Sequence, residues 1–404
     1  MNRIGRCVLL VLGIQLSWPL AFAQPPGSPP QDPIAGARVF RVKGCAACHA
    51  VTRAGPPAAP DLRHTTAPRS LYDVGSAMWN HRRYAQQFQS REPHLDARET
   101  GNLLAFLFTL DYWDADGARG DIRAGRRLFI EKQCVVCHQV GGTGGVVGPS
   151  LNAFKQHNSP ILLAAIMWNH GPPMAEAIRA AGIERPHFRG TELRDLIAYI
   201  TSESVAAEPG PLYLLPGDAE QGRRLFAEKH CLDCHRGDRP GPSLVGRGTG
   251  RDLTEFATAM WNKAPTMIPL MRRRGIVIPA LRGDEMADLI AYLSSIGYFA
   301  SSGDAKRGQG LARDKGCVTC HSAPAVGTTI EREIIWRQGL EAPTAVISFA
   351  WNHALLIEEA GGPAAAAWQP LGADEISDLM AFVRWRGRER GASDGMVPAT
   401  PQAP

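Results

Sequence analysis

Beyond its first two dozen residues the chain contains no apolar run long enough to span a bilayer, so no membrane-crossing helix is expected in the mature part. Spare cysteine is also missing. Of nine Cys, eight fall into four short repeats, and the ninth, Cys7, lies before an apolar run near the N-terminus. That leaves no thiol for a disulfide or a catalytic nucleophile. No paired acid–base carboxylates and no nucleophile constellation stand out. Gly141 to Gly145 is glycine-rich but follows no strand and lacks the spacing of a phosphate loop. Charge of one sign is lacking too: 44 Lys and Arg face 39 Asp and Glu. A balance this even gives no reason to expect a nucleic-acid partner.

Residues 1–23 read as a secretory signal. Arg3 and Arg6 give a basic start, Val8 to Leu16 an apolar stretch, and Ala21-Phe22-Ala23 a small-x-small cleavage site. Its removal would take Cys7 and leave 42 basic residues against 39 acidic ones, a net charge of +3. The expected location is the periplasm.

What the chain does have is Cys-x-x-Cys-His, four times: Cys45 to His49, Cys134 to His138, Cys231 to His235 and Cys317 to His321. The first cysteines are 89, 97 and 86 residues apart. This pentapeptide is the attachment site of a c-type haem. Its two thiols, Cys45 and Cys48, Cys134 and Cys137, Cys231 and Cys234, or Cys317 and Cys320, each reach one vinyl group. The His that follows (His49, His138, His235 or His321) binds the iron from the proximal side. Zinc ribbons pair two Cys-x-x-Cys knuckles closely and have no use for the His. Thioredoxin-like pairs need a βαβ pattern that is absent here. The expectation is four covalently bound haem c groups.

The surroundings of the motif repeat as well. A short helix with Gly and then an apolar residue precedes it: Gly36 to Phe40, Gly125 to Phe129, Gly222 to Phe226 and, more weakly, Gly308 to Ala312. An apolar helix with acidic residues at its start closes each unit: Leu103 to Leu107, Leu196 to Ile200, Leu289 to Leu293 and Leu379 to Val383. Pro60-Asp61-Leu62, Pro149-Ser150-Leu151 and Pro242-Ser243-Leu244 follow the first three motifs, and the fourth has only Pro324-Ala325-Val326.

Together these features resemble the class I cytochrome c fold. The resemblance implies an all-α chain of four tandem cytochrome c-like domains, each around one haem. The expected division is a signal at 1–23, domains at 24–115, 116–205, 206–299 and 300–390, and an unstructured tail at 391–404. Linkers are expected at Asp114–Asp121, Glu203–Gly217 and Ala300–Gly303. The resemblance further implies that the Gly lets the first and last helices approach. It also implies that a carbonyl of the Pro-x-Leu segment accepts a hydrogen bond from the proximal His.

A second motif lies between: Met78-Trp79-Asn80-His81, Met167-Trp168-Asn169-His170, Met260-Trp261-Asn262-Lys263 and Ala350-Trp351-Asn352-His353. The proximal His precedes this Trp by 30, 30, 26 and 30 residues. The His after Trp-Asn is the expected distal ligand, giving His81, His170 and His353, with Met267 in unit three. Met174 remains the alternative in unit two, and Met271 or Lys263 in unit three. The Trp-Asn pair reads as packing, Trp against the porphyrin and Asn on backbone or propionate. His94 and His187 occupy matching places but give way to Ala280 and Pro370, which argues against a ligand role.

The expected function is that of a periplasmic tetrahaem cytochrome, passing electrons between partners of a respiratory chain. Those partners would be a quinol-oxidising complex and a terminal reductase or oxidase. Two alternatives stay open: a haem enzyme with one open iron acting on a small inorganic substrate, and an electron-transfer subunit of a larger oxidoreductase.

Overall fold

The computed structural model describes residues 29–49, 51, 61–63, 70–81, 94–110, 119–154, 159–204, 212–247, 252–299, 303–321, 347–348, 350–353 and 369–393. The regular structure of the described residues is helical apart from a two-stranded hairpin, Gln139–Val140 against Thr143–Gly144, and one isolated bridge. This is the expected all-α class. The signal segment 1–23 lies outside the described residues.

Four leading helices, Pro33–Val42, Ile122–Glu131, Ala219–Glu228 and Ala305–Asp314, each begin on an aspartate. Asp32, Asp121, Asp218 and Asp304 accept first-turn backbone N–H groups that would otherwise lack partners. The backbone N–H of each cap in turn donates across to a closing helix. The acceptors are the Oδ1 atoms of Asn102, Asp195, Asp288 and Asp378, at 2.8, 2.8, 2.8 and 2.6 Å. The closing helices are Ala97–Thr109, Glu192–Glu203, Gly283–Ser295 and Ala373–Ser393. The last of these continues three residues into the expected tail, and 394–404 lie outside the described residues.

Where each pair of helices crosses, the backbones meet. A Cβ on Gly36, Gly125, Gly222 or Gly308 would stand 1.9, 1.9, 1.9 or 2.0 Å from the carbonyl oxygen of Asn102, Asp195, Asp288 or Asp378. Those are the same four residues whose side chains hold the caps. One turn further, Phe40 packs on Phe106, Phe129 on Tyr199 and Phe226 on Tyr292, with ring centroids 5.4, 5.7 and 5.3 Å apart. Unit four has the smaller Ala312 there, and its Phe382 stacks on Trp385.

The four units do not sit in a row. Helices Pro160–Ala180 and Leu253–Arg273 run unbroken through their internal prolines and pack against each other through Ala164, Trp168, Ala257, Trp261 and Ala264. This joins units two and three. Unit one, with its helix Leu71–Asn80, is clasped to unit four through residues 347–348, 350–353 and 369–371. The end of the expected linker Glu203–Gly217 is core: Leu212, Leu214 and Leu215 are buried beside Phe40 and Leu104 of unit one. Leu212 also exchanges two 2.7 Å backbone bonds with Gln31. The strand leading into unit three thus ties the two pairs together.

The crossing predicts a stability effect. Gly222→Ala would push a methyl into the Asp288 carbonyl, so the helices would have to separate. Urea unfolding of the holoprotein is expected to show a loss of about 3 kcal/mol, at the upper end of overpacking costs.

Candidate haem sites

The position of every Cys-x-x-Cys-His motif follows from the end of the leading helix. Lys43, Lys132, Lys229 and Lys315 cap these helices. The next residue turns left-handed: Gly44, Gln133, His230 and Gly316 have φ of 83°, 59°, 62° and 74°. The first Cys comes immediately after. Each Lys ammonium reaches over to the start of the closing helix and donates to a backbone carbonyl, that of His94, His187, Ala280 or Pro370, at 2.6, 2.9, 3.1 or 2.8 Å. It also pairs with Glu99, Glu192, Glu285 or Glu375 at 2.9–3.0 Å. This place in the repeat is therefore used through its backbone, which explains why His94 and His187 can give way to Ala and Pro.

The motif itself is a single turn. His49, His138 and His235 each donate a backbone N–H to the carbonyl of the first Cys, at 2.9, 2.9 and 3.0 Å, which folds the His back beneath the thiols. In unit four Cys317–His321 forms one helical turn. Seven motif cysteines, Cys45, Cys48, Cys134, Cys137, Cys231, Cys234 and Cys317, are half-buried, and the side chain of Cys320 lies outside the described residues. Burial pushes the Cys134 thiol up to about 11 and the Cys231 thiol up to about 12. Neither is a poised thiolate.

In unit two, Nδ1 of His138 faces the Pro149 carbonyl at 2.8 Å, and in unit three Nδ1 of His235 faces the Pro242 carbonyl at 3.0 Å. A carbonyl can only accept, so Nδ1 carries the proton and Nε2 keeps a lone pair for a metal. This is the bond expected of the Pro-x-Leu segments. The preceding glycine is part of the device: a Cβ on Gly148 would stand 2.7 Å from the His138 ring. The sequence signal is thus Gly-Pro-x-Leu rather than Pro-x-Leu. Pro60 and Pro324 lie outside the described residues.

In units one and four the two expected ligands come together. The rings of His49 and His81 have centroids 5.8 Å apart, and those of His321 and His353 5.6 Å apart. Two imidazoles each bound about 2 Å from one metal put their centroids about 6 Å apart. The donor set therefore fits an iron between them. Burial and the neighbouring His321 lower His353 to about 4, which keeps it neutral, the form that binds metals. His81 directly follows its helix, while residues 350–353 continue theirs.

Units two and three differ. Met167, His170 and Met174 share the continuous helix Pro160–Ala180, but His170 is exposed. Met167, Met174, Met260, Met267 and Met271 are half-buried and pack against the core that units two and three share, as do Cys134 and Cys231. Lys263 is exposed. Met174 and Met267 both stand six residues after their Trp and occupy matching places.

The Trp-Asn pairs bind backbone, and the backbone belongs to another unit. Asn169 and the backbone of Leu281 exchange two bonds at 2.7 and 2.9 Å, and Asn262 and Phe188 do the same at 2.7 and 3.1 Å. Indole N–H groups reinforce them: Trp168 donates to Pro279 and Trp261 to Pro186, both at 2.7 Å. The pattern recurs between units one and four. Asn80 clasps Leu371 at 2.7 and 3.1 Å, and Asn352 clasps Leu95 at 2.5 and 3.0 Å.

Residues 34–111 and 122–204 match the family model for cytochrome c, and residues 217–293 match that for cytochrome C oxidase, cbb3-type, subunit III. No curated protein and no solved structure matches the chain. The chain is thus an electron-transfer haem protein built on cytochrome c domains, which carry haem c covalently. Unit four lies outside these matches yet has the same aspartate cap, glycine crossing and lysine clasp. Among the described residues, no helix is long and apolar enough to cross a membrane.

The Gly148 contact can be tested directly. Gly148→Val would drive a branched side chain into the His138 ring and away from the Pro149 carbonyl. A new high-spin signal from unit two is expected in the ferric electron paramagnetic resonance (EPR) spectrum, with the other low-spin signals unchanged.

Proposed function

We propose that the protein is a periplasmic tetrahaem c-type cytochrome that carries electrons between the redox partners of a respiratory chain. The observation that carries this reading is the fourfold recurrence of one site. Aspartate cap, glycine crossing, lysine clasp, left-handed residue and Cys-x-x-Cys-His stand in the same order in all four units. In this reading Cys45/Cys48, Cys134/Cys137, Cys231/Cys234 and Cys317/Cys320 hold four haems by thioether bonds. His49, His138, His235 and His321 are the proximal ligands. The bound haem supplies the one-electron chemistry, and the chain sets its ligands, burial and spacing.

For the distal side we propose His81 and His353 in units one and four, where the imidazoles already face each other. Met267 serves unit three. In unit two the exposure of His170 and the core position of Met174 favour Met174. Thioether ligation raises a haem potential relative to two imidazoles. Units two and three would then form the high-potential pair and units one and four the low-potential pair. The lead-in at residues 1–23 supports export, and the partners proposed are a quinol-oxidising complex and a terminal reductase or oxidase.

The match of residues 217–293 to a cbb3-type subunit III favours a second reading, an electron-transfer subunit of an oxidase-like complex. Size-exclusion chromatography of the native protein separates the two: a free carrier elutes as a small soluble species, a subunit with its complex.

The test of the main reading is a haem count and a spectrum. Pyridine haemochrome analysis is expected to give four haems per chain. The ferric EPR spectrum is expected to be wholly low-spin, with no carbon monoxide uptake after reduction. Met174→Ala should open one iron to carbon monoxide, and His170→Ala should not. A high-spin fraction and carbon monoxide binding in the unmutated protein would instead establish an open site and the enzyme reading.

A further inference from the structure

The pairing of unit one with unit four does more than bury surface. The ring of His81 lies 5.5 Å from that of Trp351 in the opposite unit. Reciprocally, Trp79 stacks on His353 at 6.4 Å with only 29° between planes. Beyond these, His81 faces His49 at 5.8 Å and His353 faces His321 at 5.6 Å. Trp79 and His81 are two residues apart, as are Trp351 and His353. The result is two stacks of aromatic rings that cross the interface in opposite directions, His49–His81–Trp351 and His321–His353–Trp79, with Trp351 buried and Trp79 half-buried. Units two and three are paired by the same clamps, but the ring neighbours there differ. Trp261 packs on Phe188 at 6.2 Å and lies 3.8 Å from the Arg185 guanidinium.

We infer that units one and four form one two-haem module, in which the crossed Trp–His stacks pass electrons directly between the first and last haem sites of the chain. Electron order then departs from sequence order, running within the pairs one–four and two–three rather than one to two to three to four. The step is a single electron transfer. One site is oxidised as the other is reduced, no bond is made or broken, and no other reactant is needed. The inference rests on the reading that His49 with His81, and His321 with His353, hold haem.

The clamps that hold the crossed stacks together are Asn80 on Leu371 and Asn352 on Leu95. Ser76 and Ser348 strengthen them by donating to the same two carbonyls, at 2.6 and 2.8 Å. The equivalents of these serines in units two and three are Ala165 and Thr258, so this pair of hydroxyls distinguishes the one–four interface.

The experiment uses the full-length holoprotein, poised so that the two imidazole-ligated sites are ferric and the thioether-ligated ones reduced. Pulsed EPR then reads the magnetic coupling between the two remaining spins. Two low-spin bis-imidazole signals with a clear dipolar modulation are the expected result. Asn80→Ala with Asn352→Ala should abolish the modulation and keep both signals, while Asn169→Ala with Asn262→Ala should leave it unchanged. Two bis-imidazole signals without modulation in the unmutated protein would overturn the pairing. Absence of the signals themselves would overturn the ligand reading instead.

The role of the rings is read separately. A photosensitiser on Arg38→Cys injects one electron into unit one, and its onward transfer is timed. Trp79→Leu with Trp351→Leu should slow that transfer several-fold with ligand signals and dipolar modulation intact. An unchanged rate with intact modulation would show that the indoles conduct nothing.

Discussion

Everything in this chain hangs on one contact, the glycine of a leading helix pressed against a carbonyl of a closing helix. The contact is made by backbone, so it tolerates almost any sequence on the outer faces. It admits no side chain at the glycine itself, where even a Cβ would lie within about 2 Å of an oxygen. The residue that offers the carbonyl also anchors the aspartate cap through its side chain. The start and the middle of the leading helix are therefore registered against a single residue of the closing one. The lysine clasp fixes the far end. Once both ends are set, the left-handed residue can turn the Cys-x-x-Cys-His motif in only one direction. Haem attachment is positioned by these bonds before any haem-specific residue takes part.

Much of this was legible in the sequence. The four motifs, the leading glycine and the closing apolar helices are written as side-chain patterns, and periodicity and spacing find them. The lysine clasp was missed although its signal is present: Lys43, Lys132, Lys229 and Lys315 all stand two residues before the first Cys. Its acceptor is a carbonyl, which has no letter in the sequence, so His94 and His187 drew attention as side chains instead. Unit pairing was illegible for the same reason. Trp168 and Asn169 announce that something is gripped, but the gripped atoms are backbone groups of residues 279 and 281, more than a hundred positions away. Only the indole and the amide show, and by themselves they suggest Trp against the porphyrin and Asn on backbone or propionate.

On the distal side, residue count and burial point to different residues in unit two. The rule that puts the ligand after Trp-Asn fits three units by letter. The helix Pro160–Ala180 nonetheless turns His170 towards solvent and keeps Met174 against the core. Prolines inside this helix could have broken it. It survives because it is gripped along its length, at Trp168 and Asn169 by unit three and at Gly171 by the Arg185 guanidinium. Tertiary contact thus overrides a local cost of about 3 kcal/mol per proline.

The choice of partners is then the last matter, and the sequence of each unit answers it. Units two and three share a Met six residues after the Trp, Met174 and Met267. Units one and four share a serine three residues before the Trp, Ser76 and Ser348, and have no Met at the later position. Like is paired with like, although one pair consists of sequence neighbours and the other of the two ends of the chain. A clamp built from Asn and backbone carries no such preference, since all four units have it. The preference comes from what surrounds it: serine hydroxyls doubling each carbonyl bond in the one–four interface, and apolar helix faces with Trp168 and Trp261 in the two–three interface.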